Sequence, residues 1–93
     1  MPTVSREIAI SNSMGLHARP AMRFVDLANQ FKSQVRVKAL SDEPIEADGK
    51  SIMEMMMLAA VPGTLMRITA NGDDADSAVD KLCELVANKF FEE

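Results

Sequence analysis

The residues best suited to chemistry are Gly15-Leu16-His17-Ala18-Arg19-Pro20, which contain the chain's one histidine. His17 lies where turn residues give way to a helical pattern. A helix N-terminus offers unbonded backbone N–H groups and a partial positive charge, so it is suited to an anion. The same field disfavours an imidazolium, which leaves the ring a nucleophile near pH 7. Such a nitrogen can attack a phosphoryl group. Arg19, two residues on, can meet the resulting dianion with a charge-assisted contact. Gly15 permits a tight turn before the histidine, and Pro20 stiffens the first helical turn after it. Nucleophile, anion cradle and counter-charge thus fall within six consecutive residues.

A second motif is Asp48-Gly49-Lys50-Ser51-Ile52-Met53-Glu54. Ser51 and Glu54 have capping-box spacing: the serine oxygen accepts an early backbone N–H and the glutamate reaches back. Read on the cap alone, Ser51 is structural. A phosphate on it would add about −1.5 to −2 charge at a helix N-terminus, which tolerates it. In the helix that follows, Ile52-Met53-Glu54-Met55-Met56-Met57-Leu58, only Glu54 is polar. A small two-layer domain cannot bury such a helix on every side. With Met55 and Leu58 turned to the core, Ile52, Met53 and Met56 form an outward apolar patch. A patch rich in unbranched, polarizable methionine suits docking of partners, unless a neighbouring loop covers it.

These motifs need elements to hold them. Val4 to Ile10 reads as a strand with Val4, Ile8 and Ile10 on one side and Arg6 interrupting the set. Ala18 to Phe31 has helical spacing through Ala21, Phe24, Val25 and Ala28. Gln34 to Ala39 alternates cleanly, Ser41 to Pro44 is a loop, and Ile45 to Asp48 is a short strand. Ser51 to about Ala59 is a helix, and Leu65 to Ala70 a fourth strand ended by Asn71-Gly72. Asp73, Asp74 and Asp76 load the start of a last helix, whose apolar stripe is Ala75, Val79, Leu82, Val86 and Phe90. Phe91 to Glu93 reads as a frayed end. The order β-α-β-β-α-β-α, with one apolar face per strand, predicts an α+β open-faced sandwich: a four-stranded antiparallel sheet with three helices on one face.

Composition narrows the function. Residues 1–93 suffice for one modest core, read as a single domain. Net charge is −4, with six basic and two acidic residues in 1–40 but four basic and twelve acidic in 41–93. That balance, and the lack of Tyr and Trp, argue against a nucleic-acid binder. No apolar run approaches the ~20 residues of a membrane span, so no membrane insertion is expected. One cysteine, Cys83, cannot form an internal disulfide, and the first residues lack a signal-peptide pattern; the reading is cytoplasmic. One histidine and one distant cysteine make no metal site, and no cofactor loop is present.

Met14-Gly15-Leu16-His17-Ala18-Arg19-Pro20-Ala21 and Asp48-Gly49-Lys50-Ser51-Ile52-Met53, in this order and at this separation, resemble the histidine-containing phosphocarrier (HPr) family of the bacterial phosphoenolpyruvate-dependent phosphotransferase system. The segment from Gly63-Thr64 to Asn71-Gly72-Asp73 resembles that family's last strand and turn. The resemblance covers nearly the whole chain and implies the same open-faced sandwich. It implies that His17 is phosphorylated on Nδ1 by Enzyme I, that the group passes to an Enzyme IIA-type domain, and that Arg19 is the active-centre arginine. It implies Ser51 as the target of a kinase/phosphorylase, and Ile52, Met53 and Met56 as partner-docking positions. A carrier of this kind is not an autonomous catalyst, needs no cofactor, and is expected to be a monomer. The IMEMMML helix and the Asn88-to-Glu93 end resemble the nitrogen-related (NPr-type) branch more than the sugar-type one. The alternative reading is a regulatory relative that acts by Ser51-modulated docking, without transport flux.

Overall fold

A computed structural model describes residues 2–58 and 60–91 of the chain. Four strands form one sheet: β1 (Thr3–Ala9), β2 (Gln34–Leu40), β3 (Ile45–Asp48) and β4 (Leu65–Asn71), in the order β1-β4-β2-β3. Every neighbouring pair is antiparallel. Helices α1 (Ala18–Ala28), α2 (Ile52–Met57) and α3 (Ala75–Ala87) cover the apolar face, and a short left-handed turn at Lys89–Phe91 follows. The expected open-faced α+β sandwich is the fold observed.

Register explains why one face is buried. Ile8, Met66 and Ala39 share one cross-strand row, and Val4, Ala70 and Val35 another. Between them lies the row Arg6, Ile68, Val37 and Ala47. Met66, Ile68, Ala70, Val37 and Ala47 are fully buried. A large apolar side chain so placed contributes about 1.5–3 kcal/mol. Arg6 interrupts the set, as its sequence position predicts, yet it costs the core nothing. It stands on the edge strand and reaches Asp80 of α3 at 2.7 Å, with both side chains largely in solvent. The opposite face is a polar lattice. Arg36 meets Glu46 at 3.0 Å, Arg67 meets Glu7 at 2.9 Å, and the Ser5 and Thr69 hydroxyls bond at 2.8 Å. Exposed pairs of this kind contribute at most about 1 kcal/mol each.

Several element ends differ from the sequence reading. The first strand stops at Ala9, although buried Ile10 still exchanges bonds with the far loop: its amide donates to Thr64 at 2.9 Å and its carbonyl accepts from Gly63 at 2.7 Å. Helix α1 ends at Ala28, not Phe31. The Asn29 amide and side chain both donate to the Val25 carbonyl at 2.9 Å. The Phe31 carbonyl accepts instead from Lys50 Nζ at 2.7 Å. The last helix ends at Ala87, where Asn88 Nδ2 donates to the Glu84 carbonyl at 2.8 Å. Phe90 fills the core as its spacing suggests, but from the left-handed turn, where Lys89, Phe90 and Phe91 have φ of 56°, 56° and 58°. Phe91 lies in that turn rather than in a frayed end, whereas Glu92 and Glu93 lie outside the described residues. Left-handed backbone costs a residue with a Cβ about 1–2 kcal/mol, so burial of Phe90 and a bond to its carbonyl must hold the turn.

Asp74 is the N-cap of α3, but its carboxylate does not cap the helix. It accepts from the Lys32 amide at 2.8 Å, the Ser33 amide at 3.0 Å and the Ser33 hydroxyl. These bonds, the hydroxyl's foremost, hold its carboxyl below the usual aspartate range. They tie the loop leading into β2 to the start of α3.

Candidate functional site

The histidine loop is shaped by a bond within its own sequence and by one from a distant segment. Asn12 is fully buried, and its Nδ2 donates to the Gly15 carbonyl at 2.7 Å. Gly15 has φ +70°, and a Cβ there would lie 2.6 Å from the Ala60 carbonyl oxygen. Only glycine meets both demands. The Leu16 amide then donates to the same Ala60 carbonyl at 2.8 Å, with the Leu16 side chain in the core. The chain leaves this anchor in extended conformation, and His17 becomes the N-cap of α1, with φ −97° and ψ −167°.

His17 is exposed, and its carbonyl accepts the Ala21 amide at 3.0 Å. The His17 side chain makes no capping bond to the helix. Pro20, buried at the third helical position, has no N–H to satisfy. Among the described residues, the Ala18 and Arg19 amides have no backbone acceptor. Two donors with the positive end of the helix behind them therefore stand beside the imidazole. An open groove of about 680 Å³ starts there, lined by His17, Ala18, Arg19, Met22, Arg23 and Asp26. Exposed Arg19 lines it as its sequence position suggests. Arg23 and Met22 were not anticipated; the signal for Arg23 was its i+4 spacing from Arg19, which puts two guanidiniums on one helix face. Arg23 Nη1 donates to the Phe90 carbonyl, so the left-handed turn closes against α1 beside this groove.

Ser51 is the N-cap of α2, and its Oγ accepts the Glu54 amide at 3.2 Å. The reciprocal half of the capping box is not formed. The Ser51 amide donates to the Asp48 carbonyl at 3.0 Å, and Glu54 Oε1 accepts from the Asp48 amide at 3.0 Å instead. The turn between them is tight, because a Cβ on Gly49 would lie 2.5 Å from Val35 Cγ1. The glutamate thus fastens the whole Asp48–Ser51 turn. Helix α2 ends at Met57 with Leu58 as its cap, short of the expected end at Ala59, which lies outside the described residues.

Met55 and Leu58 are buried as expected, and Ile52, Met53 and Met56 are exposed. Met57, Val61, Met22 and Met14 are exposed as well. The chain leaving α2 returns through Ala60 to the Gly15-Leu16 backbone, which links this surface to the histidine loop.

Cys83 is buried, and burial pushes its thiol up despite the nearby Arg6 guanidinium. A group held protonated is a poor nucleophile. Among the described residues no set of three His, Cys, Asp or Glu side chains is placed to hold a metal ion, and no helix is long and apolar enough to cross a membrane.

Residues 4–88 match the family described as the PTS HPr component phosphorylation site. The phosphocarrier protein HPr of Pseudomonas putida is 47% identical over 89 residues, 96% of each chain. The phosphocarrier protein NPr of Proteus mirabilis is 38% identical over 91 residues, covering 98% of this chain and 99% of that one. The crystal structure of HPr-C-His from Thermoanaerobacter tengcongensis superposes with a TM-score of 0.84 at 41% identity, covering 100% of this chain and 99% of that one. Motifs, fold and near-complete alignment agree: this chain belongs to the HPr family of phosphocarrier proteins of the phosphotransferase system, carriers rather than catalysts.

Proposed function

We propose that this chain is one domain that accepts a phosphoryl group from phospho-Enzyme I on Nδ1 of His17 and passes it to an Enzyme IIA-type domain, as a cytoplasmic, monomeric carrier. The observation that carries this reading is the start of α1: an exposed imidazole beside the Ala18 and Arg19 amides, which have no backbone acceptor among the described residues. In each transfer the ring nitrogen attacks phosphorus, the bond to the donor's imidazole breaks, and the acceptor's ring nitrogen later reverses the step. Two amides and the Arg19 guanidinium meet the charge on the moving group, while an exposed site leaves it accessible to both partners. Purified Enzyme I with labelled phosphoenolpyruvate, followed by mapping of the label, tests the reading. Label on His17 supports it, and a chain that stays unlabelled refutes it.

A second reading concerns Ser51. Its side chain is half-exposed, its oxygen accepts one amide at the helix start, and exposed Ile52, Met53 and Met56 follow it on α2. A kinase/phosphorylase acting there would place charge in the middle of an apolar docking surface and weaken partner binding without unfolding α2. Equal affinity of Enzyme I for the chain and for a Ser51→Asp variant would remove this reading.

A further inference from the structure

Arg23 is the cationic residue of the His17 groove that neither motif explains. It lies one helical turn beyond Arg19, and side chains on a helix lean toward its N-terminus. Both arginines line the same groove as His17, with Asp26 beyond them on the helix. Arg19 is exposed, whereas Arg23 is half-buried, so its charge is less screened by water. Its aim is also fixed from outside the helix. Nη1 donates to the carbonyl of Phe90, whose ring is fully buried, in a turn of three successive left-handed residues. A guanidinium carries five N–H donors in a planar fork, so holding one carbonyl leaves capacity for an anion. A phosphorylated imidazole brings up to two negative charges to a groove that holds two arginines and one aspartate.

We propose that Arg23 is a second counter-charge for a phosphoryl group carried on His17, its guanidinium aimed by the Phe90 carbonyl of the left-handed turn. The proposal rests on His17 as the phosphoryl site. It adds that the closing turn of the chain, distant in sequence, sets the electrostatics of the carried group.

Phosphoramidate tests this apart from any protein donor, because it phosphorylates imidazole directly and the chain has a single histidine. Hydrolysis of the product needs the phosphorylated ring to be protonated first. Water then attacks phosphorus, the P–N electron pair returns to the ring, neutral imidazole leaves, and phosphate is released. A neighbouring cation opposes that ring proton and slows the reaction. In the full-length chain at low salt, Arg23→Gln should therefore hydrolyse about threefold faster, the factor a unit charge exerts across roughly 7 Å of water-like dielectric. The difference should shrink in high salt, and Arg23→Lys should stay near the wild-type rate. A residue that only ties down the chain end would not give this salt dependence. In the unaltered protein, phosphorylation should also shift the Arg23 Nε–H and Phe91 amide signals in nitrogen-15 spectra. A folded Arg23→Gln variant hydrolysing at the wild-type rate would overturn the proposal; should that variant fail to fold, unmoved signals in the unaltered protein would overturn it. A chain that takes phosphate from phosphoramidate with these effects, yet not from Enzyme I, would leave this inference standing and remove the carrier reading.

Discussion

Helices α1 and α2 begin in opposite ways. At α2 the Ser51 hydroxyl accepts the Glu54 amide, and the Glu54 carboxylate fastens the Asp48 amide behind it. At α1 the N-cap is a histidine whose side chain caps nothing, and Pro20 removes a further donor. A cap of the α2 kind contributes about 1 kcal/mol, and α1 does without it. Its start is held instead by a long-range bond one residue upstream, Leu16 to Ala60, and by the local bond of buried Asn12 to Gly15. The difference teaches how a short chain keeps one helix terminus available to an anion while closing the other. Local sequence satisfies the closed end, and the rest of the fold must hold the open one.

Substitutions can break this contrast. His17→Ala should abolish labelling by Enzyme I and phosphoenolpyruvate while the chain keeps a cooperative melt; retained acid-labile label would show that the open terminus is not the acceptor. Gly15→Ala should destabilise by about 2 kcal/mol, because a Cβ would meet the Ala60 carbonyl and φ is positive. Urea denaturation measures this, and an unchanged midpoint would mean that the loop is not wedged as described. Ser51→Ala should cost about 1 kcal/mol in the same assay and leave His17 labelling intact. Loss of labelling there would show that the two helix starts are not separable.

The smallest effect concerns the third helix start. The Asp74 carboxyl is depressed by the Ser33 hydroxyl and the Lys32 amide. A carboxyl depressed in the folded state contributes stability that is present above its unfolded range and is lost as pH falls through the folded value. Asp74→Asn should therefore lower Tm at neutral pH only slightly and flatten its fall in acid. An acid limb as steep as that of the unaltered protein would assign the pH dependence to other carboxylates.

How much of this was legible in the sequence depended on the range of the forces. The alternation of Val35, Val37 and Ala39, or of Met66, Ile68 and Ala70, is local, and those strands fell where the pattern put them. The place of His17 at a helix start, with Arg19 beside it, was legible because a helix start and its neighbouring charges are also local. The end of α1 was not: the Gln30 and Phe31 amides turn to the Leu27 and Ala28 carbonyls, and Lys50, from beyond β3, holds the Phe31 carbonyl. Phe90 repeats the stripe of α3 at Val86 plus four, which reads as one more helical turn. Its carbonyl instead faces Arg23, sixty-seven positions away in the chain. Glu54 shows the same limit on a smaller scale: the spacing promised a reciprocal box, but the Ser51 amide was already bonded to Asp48.

The strand order has a consequence for how this protein is made. Among the described residues, β4 is the last of the four strands in chain order but an inner one in the sheet, and it is the strand that pairs with β1. Until Leu65 to Asn71 has cleared the ribosome, a nascent chain holds the β2–β3 hairpin and an N-terminal segment with nothing to pair against. The chain must therefore be synthesised past Leu65 to Asn71 before the histidine loop, braced by Ala60 and by the Ile10 contacts with Gly63 and Thr64, can take its shape.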